Sequence, residues 1–245
     1  MSKSPEELLA LQVGDGTVAE NLKRAVEMGE LVEEEDGCLR FAEPRQQSRN
    51  WATVANGPPL GCDFLMQFLF RQAYATSAVP RGCSACYKVK VVPRTLRELV
   101  ASWGLAKRIN CLSKWGVDFD NPYSQNVYAG YFYTTGLDGA RAVYKVVRNI
   151  IDNDPKLGPD VQMSIKRGCS EYEAKLGPSD RYTFAPELEE LEAYLKTRFR
   201  KTAPESLPPV PMAHWIDTAF RIGDDTYLDF TNGRRLKPKM VSYDP

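Results

Sequence analysis

Three times between residues 87 and 199 a short alternating stretch gives way to a longer one with apolar residues at helical spacing, and this succession restricts the possible folds most. In Tyr87 to Val92, the residues Tyr87, Val89 and Val91 alternate with Lys88 and Lys90, the period of a strand. Pro93 then opens a helix with Leu96, Leu99, Val100 and Trp103 on one stripe. Val127 to Thr135 reads as an aromatic strand, and Gly136-Leu137-Asp138-Gly139 turns it into a helix carrying Ala140, Val143, Val147 and Ile150. Val161 to Arg167 is a third strand, and Pro186 starts a last helix with Leu188, Leu191, Leu195 and Phe199 inward. The pattern predicts an α+β or α/β fold, a central βαβαβα sandwich that is ferredoxin-like or built on a mixed sheet.

Before this core, Glu6 to Leu11 and Val18 to Met28 have helical spacing, and Glu33 to Asp36 is a run of four carboxylates leading to the strand-like Cys38 to Phe41. Glu43 to Pro59 is polar and ends in Asn-Gly-Pro-Pro, a linker or ordered loop. The expected division is an acidic helical subdomain and linker over 1–59, then an α/β metal-binding domain over 60–245. Asp63 is placed to cap a helix whose body, Phe64 to Phe70, is apolar almost all round. Ala203 to Pro211 reads as a proline-rich connector, and Phe220 to Leu236 as a closing hairpin with turns at Gly223-Asp224 and Asn232-Gly233.

The 245 residues, 43% of them apolar, suffice for a real core. No run of eighteen apolar residues occurs, and Met1 to Glu7 has no apolar signal region, so the expectation is a cytoplasmic protein without membrane contact. The 32 basic and 32 acidic side chains balance, which excludes a uniformly basic nucleic-acid binder. The balance is uneven along the chain. Residues 1–40 hold four basic and ten acidic side chains, whereas 81–114 hold eight basic and one acidic.

Of the six cysteines, four follow a glycine (Gly37-Cys38, Gly61-Cys62, Gly82-Cys83, Gly168-Cys169), where composition predicts about 0.4 such pairs. Glycine permits unusual backbone angles and close approach, which suits a loop wrapping a metal centre. Cys83-Ser84-Ala85-Cys86 adds a Cys-x-x-Cys spacing. His214 is the only histidine, so a His₃ zinc site, a Cys₂His₂ finger and a two-His iron site are impossible within one chain. One Cys-x-x-Cys with remote single cysteines matches cubane iron-sulfur ligation better than a zinc ribbon, which brings two such pairs. The ligand set is Cys62, Cys83, Cys86 and Cys169, with Cys111 as substitute and Cys38 as a structural residue. For Cys86 and Cys169 to reach one cluster, the strands beside them must be antiparallel neighbours. Cys62 precedes the apolar helix, whose positive end favours its thiolate.

Basic side chains surround both cysteine loops. Arg81, Lys88, Lys90, Lys166 and Arg167 form an expected anion-binding set, against the plainer possibility that Lys88 and Lys90 are the solvated face of a strand. These features point to a [4Fe-4S] protein: a redox or cluster-dependent enzyme, an oxidoreductase or lyase, or an electron-transfer component, acting on a small anionic substrate or an acidic redox partner. The alternative is a zinc-stabilised, non-catalytic module that binds nucleic acid or an acidic protein through 81–114. Against nucleic acid, aromatic residues do not interleave with the lysines along that strand. Other motifs have plainer explanations. Thr134 to Gly139 can bind an anion at a helix start, though Asp138 as a cap explains it as well. His214 and Asp217 have no nucleophile motif, and Glu171, Glu173, Asp180 and Arg181 lack a paired-carboxylate spacing.

Overall fold

The computed structural model describes residues 3–43, 50–58, 60–118, 126–202, 211–237 and 243. The N-terminal part forms two helices, α1 (Pro5–Leu9) and α2 (Val18–Glu27), and two small ribbons, β1 (Gln12–Val13) with β2 (Gly16–Thr17) and β3 (Leu31–Glu33) with β4 (Leu39–Phe41). Ser4 and Thr17 close capping boxes with Glu7 and Glu20, so both helices start where hydroxyl and carboxylate satisfy the free N–H groups.

Five strands make the main sheet: β5 (Trp51–Ala55), β6 (Cys86–Val92), β7 (Leu112–Val117), β8 (Tyr128–Thr135) and β9 (Gln162–Arg167). Their order is β5-β7-β8-β6-β9, with every neighbouring pair antiparallel. Two helices interrupt them, α3 (Leu96–Ala106) after β6 and α4 (Gly136–Asp152) after β8. Beyond the sheet lie α5 (Ser170–Leu176), α6 (Leu188–Arg198) and α7 (Met212–Ile222).

The expected alternation holds for β6, α3, β8, α4, β9 and α6, and the result is a mixed α/β architecture on an antiparallel sheet. Two strands of the main sheet carry no clear strand signal in the sequence. β5 lies inside the polar stretch Glu43 to Pro59, expected as a linker or ordered loop. β7 follows Cys111 and was hidden by the serine, lysine and glycine between Trp115 and its apolar neighbours, which dilute β-propensity. The C-terminal hairpin is corrected: Phe220 to Ile222 finish α7, Gly223 caps it in the left-handed conformation (φ 78°), and Asp225–Phe230 is a 3₁₀ turn. Gly223-Asp224 therefore ends a helix instead of joining two strands. Residues 203–210 of the predicted connector lie outside the described residues.

Alternation along the strands sorts the sheet into two unlike faces. Val89, Val91, Trp115 and Phe132 turn toward α3 and α4 and are fully buried with Leu96, Leu99, Ala140, Val147 and Ile151. Trp115 lies flat on Gly130, where a β-carbon would stand 2.2 Å from the ring, so this position requires glycine. A second core joins α2 and α6 to a π-helix, Asp63–Ala73, through Leu22, Phe68, Leu69, Leu191 and Leu195. The predicted all-round apolarity is thus used on two sides. Phe68, Leu69 and Ala73 meet the N-terminal helices, while Met66 and Phe70 meet a third cluster containing Val79, Cys83 and Tyr172. Among the described residues no helix is long and apolar enough to cross a membrane.

Candidate metal centre

Cys62, Cys83, Cys86 and Cys169 all line one cavity of about 100 Å³ at the end of the sheet, together with Lys88, Thr134, Thr135 and Tyr172. Each thiol arrives by a different device. Cys62 occupies the N-cap position of the π-helix after Gly61 (φ 63°), so Asp63 is the first helical residue and not the cap. Cys83 ends a 3₁₀ turn, Arg81–Cys83, and Cys86 begins β6. Cys169 follows Gly168 (φ 67°) at the end of β9. As the ligand set requires, β6 and β9 are antiparallel neighbours, with Tyr87 opposite Arg167 and the Gly168 N–H donating to the Cys86 carbonyl at 3.0 Å. The glycines before Cys62 and Cys169 supply left-handed turns that other residues adopt only with strain. Gly82 serves close approach, since a β-carbon there would lie 2.6 Å from Leu65.

The Cys83 turn is clamped by a buried carboxylate. Glu192 of α6, 8% exposed, accepts from the Arg81 N–H at 2.5 Å, the Gly82 N–H at 2.9 Å and the Tyr74 hydroxyl at 3.0 Å. Cys83 Sγ is also 3.3 Å from the hydroxyl of Tyr172, whose ring packs edge-on against Phe70.

Lys88 is the charged residue of the cavity. It is 8% exposed and its Nζ donates to Cys169 Sγ at 3.1 Å. The same ammonium lies 5.3 Å from the Tyr133 ring centroid and 5.9 Å from that of Tyr131. Burial alone would lower its pKa. When they are ionised, Cys169 first and then Tyr133 and Cys86, with the bond to Cys169, outweigh burial and hold the pKa above its usual value. Burial raises the thiols of Cys83 and Cys86, opposed by the Tyr172 hydrogen bond and by Lys88 respectively. Cys62 is exposed as a residue, yet desolvation on the cavity side, and then the charge of Cys169, push its thiol up to about 11. The expected help from the helix start is therefore overcome at Cys62 by desolvation and neighbouring thiols. The positive end of α4 does border the cavity. Thr135 stands at its N-cap without a side-chain cap, and Gly136 N–H binds the Ala85 carbonyl at 2.7 Å, tying that end to the cysteine loop. Asp138, expected as a cap, pairs with Arg141 instead.

Of the five predicted anion-site cations, Lys88 alone lines this cavity among the described residues. Lys90 donates to Asn126 Oδ1 at 2.9 Å, and Lys166 pairs with Glu173 at 2.6 Å. Arg81 pairs with Glu189 at 3.0 Å. Arg167 lies over Tyr87 and Phe184 and donates to the Ser84 carbonyl at 2.9 Å. Both arginines hold loops together. The solvated-face alternative fails for Lys88, which is buried. Cys111 sits before β7 and bonds the Tyr133 carbonyl at 3.3 Å, and Cys38 packs in the N-terminal part. Neither lines the cavity. Asp217 pairs with Arg221 at 2.8 Å rather than with His214.

Tyr172 and Glu192 look like ordinary helical residues in the sequence until the fold brings α5 and α6 against the cysteine turn. All six cysteines are free, and among the described residues no group of three or more His, Cys, Asp or Glu side chains is arranged to hold a metal ion. Compared with models of known protein families, with curated proteins and with solved structures, the chain matches none of them.

Proposed function

We propose that this chain carries a [4Fe-4S] cluster on Cys62, Cys83, Cys86 and Cys169 and works as a cluster-dependent enzyme or electron-transfer component for a small anionic substrate or an acidic redox partner. The observation that carries the reading is the convergence of four thiols, from segments more than a hundred residues apart, on one cavity faced by a buried ammonium. One zinc ion needs every ligand sulfur about 2.3 Å from a single point, whereas a cubane takes each cysteine at a different iron and accepts sulfurs spread around a cavity. Lys88 and the start of α4 bring positive potential to the same place, which favours an anionic centre and offsets the burial that keeps free thiols protonated. When bound, such a cluster supplies one-electron transfer, or a Lewis-acidic iron if one ligand position is left open.

Lys88, Gly168 and Tyr172 are the residues that hold and orient the sulfurs: an N–H donor on Cys169, a turn that aims it, and a hydroxyl on Cys83. The fold belongs to the same proposal. The run β6-α3-β7-β8-α4-β9 with spatial order β7-β8-β6-β9 is read as a ferredoxin-like split βαβ sandwich, to which β5 adds an edge strand. Six free cysteines support a reducing, cytoplasmic setting.

The test is anaerobic purification with iron, zinc and acid-labile sulfide analysis on wild type, Cys83→Ala and Cys111→Ala. Iron and sulfide near four per chain are expected in wild type and Cys111→Ala and lost in Cys83→Ala. Stoichiometric zinc without iron, or iron that depends on Cys111 and not on Cys83, overturns the assignment.

A further inference from the structure

The sheet face that bears Lys88 continues away from the thiols as a mosaic of cations and rings. Register places Lys114 of β7 opposite Tyr131 of β8, and Tyr131 opposite Lys90 of β6; in the next row Tyr133 stands opposite Lys88. Trp51 of the edge strand β5 joins them, its ring centroid 5.9 Å from that of Tyr131 and 4.3 Å from Lys114 Nζ. Helices α3 and α4 pack on the other face, where Val89, Trp115 and Phe132 are buried.

Among the described residues, two of the cations on this face have a side-chain oxygen as partner and two have none. Lys166 is held by Glu173 and Lys90 by Asn126. Lys88 is bonded only to a cysteine sulfur, and Lys114 only covers the Trp51 ring, among the described residues. Burial first and the repulsion of Lys88 second lower the Lys114 pKa; Glu171 and Asp118 oppose this from a distance without forming an ion pair. Holding two ammoniums out of water on one surface is costly unless an anion joins them.

We propose that this face binds a nucleoside phosphate, with the phosphate between Lys88 and Lys114 above Tyr131 and the base against Trp51. The proposal rests on the small-anion reading above for its role and names the substrate class for that reading. Charge complementarity selects the anion. The interleaved rings select one that also presents a flat aromatic surface, since cation and ring contacts then form together. From β5 to β6 is three strand spacings, about 14 Å, a reach that base, sugar and phosphate fill together. Asp118, Glu171 and Glu173 border the mosaic, so a longer polyanion would run onto carboxylates. The sequence suggested that rings do not interleave with the lysines. Along β6 that is true, and the fold supplies them from β5 and β8.

The experiment is calorimetric titration of the full chain, metal-free and iron-reconstituted, with AMP, ADP, adenosine and inorganic phosphate, while tryptophan fluorescence is followed. Expected are saturable AMP and ADP binding that weakens with salt, affinity at least tenfold lower in Lys114→Met, and ADP-induced quenching that disappears in Trp51→Phe. The methionine keeps the aliphatic cover on Trp51, and circular dichroism verifies that both variants fold. No nucleotide binding at millimolar concentration, or binding unchanged in folded Lys114→Met, overturns the inference. Phosphate binding as tightly as ADP, or a labelled single-stranded 12-mer binding far tighter than ADP, overturns it as well. Iron analysis separates the two readings: absent binding to an iron-loaded protein removes this site alone, and nucleotide binding to a protein that never takes up iron removes the cluster alone.

Discussion

Replacing Glu192 probes how the cysteine turn is held. Glu192→Ala leaves two backbone N–H groups, on Arg81 and Gly82, and the hydroxyl of the fully buried Tyr74 without an acceptor. Each buried orphan costs about 1–3 kcal/mol, and the sum is reduced because the carboxylate no longer has to be desolvated, which leaves a net loss of about 3–4 kcal/mol. For a chain of this length that corresponds to a melting temperature lower by roughly 6–15 °C. Glu192→Gln keeps one acceptor oxygen and should lose about half as much. A pH series adds a sign. Burial raises the Glu192 pKa, against hydrogen bonds from Gly82, Arg81 and Tyr74 that lower it. A raised folded pKa means that protonation favours the fold. This contribution is complete below the unfolded carboxyl value of about 4.3 and is lost as pH rises through the folded value. The advantage of wild type over Glu192→Gln therefore shrinks from pH 4 toward neutrality. Urea unfolding of the metal-free protein measures both quantities. An alanine variant within about 1 kcal/mol of wild type, or an advantage that grows with pH, would refute the clamp.

Gly130→Ala should destabilise by about 2–3 kcal/mol or more, because the new methyl group meets the buried Trp115 ring at 2.2 Å; a denaturation midpoint equal to wild type would mean the ring can shift at no cost. With no ionised sulfur to pair with it, a buried ammonium is costly, so Lys88→Met should leave the stability of the metal-free protein unchanged or improved; a loss of stability in urea unfolding would mean that a sulfur anion already pairs with Lys88. In the iron-loaded protein the same variant should lower the cluster reduction potential, because a positive charge and a sulfur hydrogen bond are removed; protein-film voltammetry showing an unchanged potential would place Lys88 outside the cluster's field.

What the sequence determined by itself is what short-range chemistry encodes. Alternation at Tyr87 to Val92 and the helical stripe after Gly136 are local periodicities, and both elements form where those periods occur. The grouping of Cys62, Cys83, Cys86 and Cys169 was legible because glycine before cysteine and a Cys-x-x-Cys spacing are local as well, and the fold gathers these four in one cavity. Tertiary structure decided the rest. β5 and β7 have weak strand character alone: β7 is a strand because β8 offers an edge to pair with, and β5 because β7 in turn offers its other edge. Phe220 to Leu236 has turn residues that suit either a hairpin or a helix end, and packing of Phe220 against Tyr227 beside α3 selects the helix end. Charge was the least legible. Five cations near the cysteines look equivalent in sequence, yet Arg81 and Arg167 brace loops, Lys166 is neutralised, and Lys88 alone is buried against sulfur, because whether a cation faces a carboxylate, a ring or a thiol depends on its neighbours across the sheet.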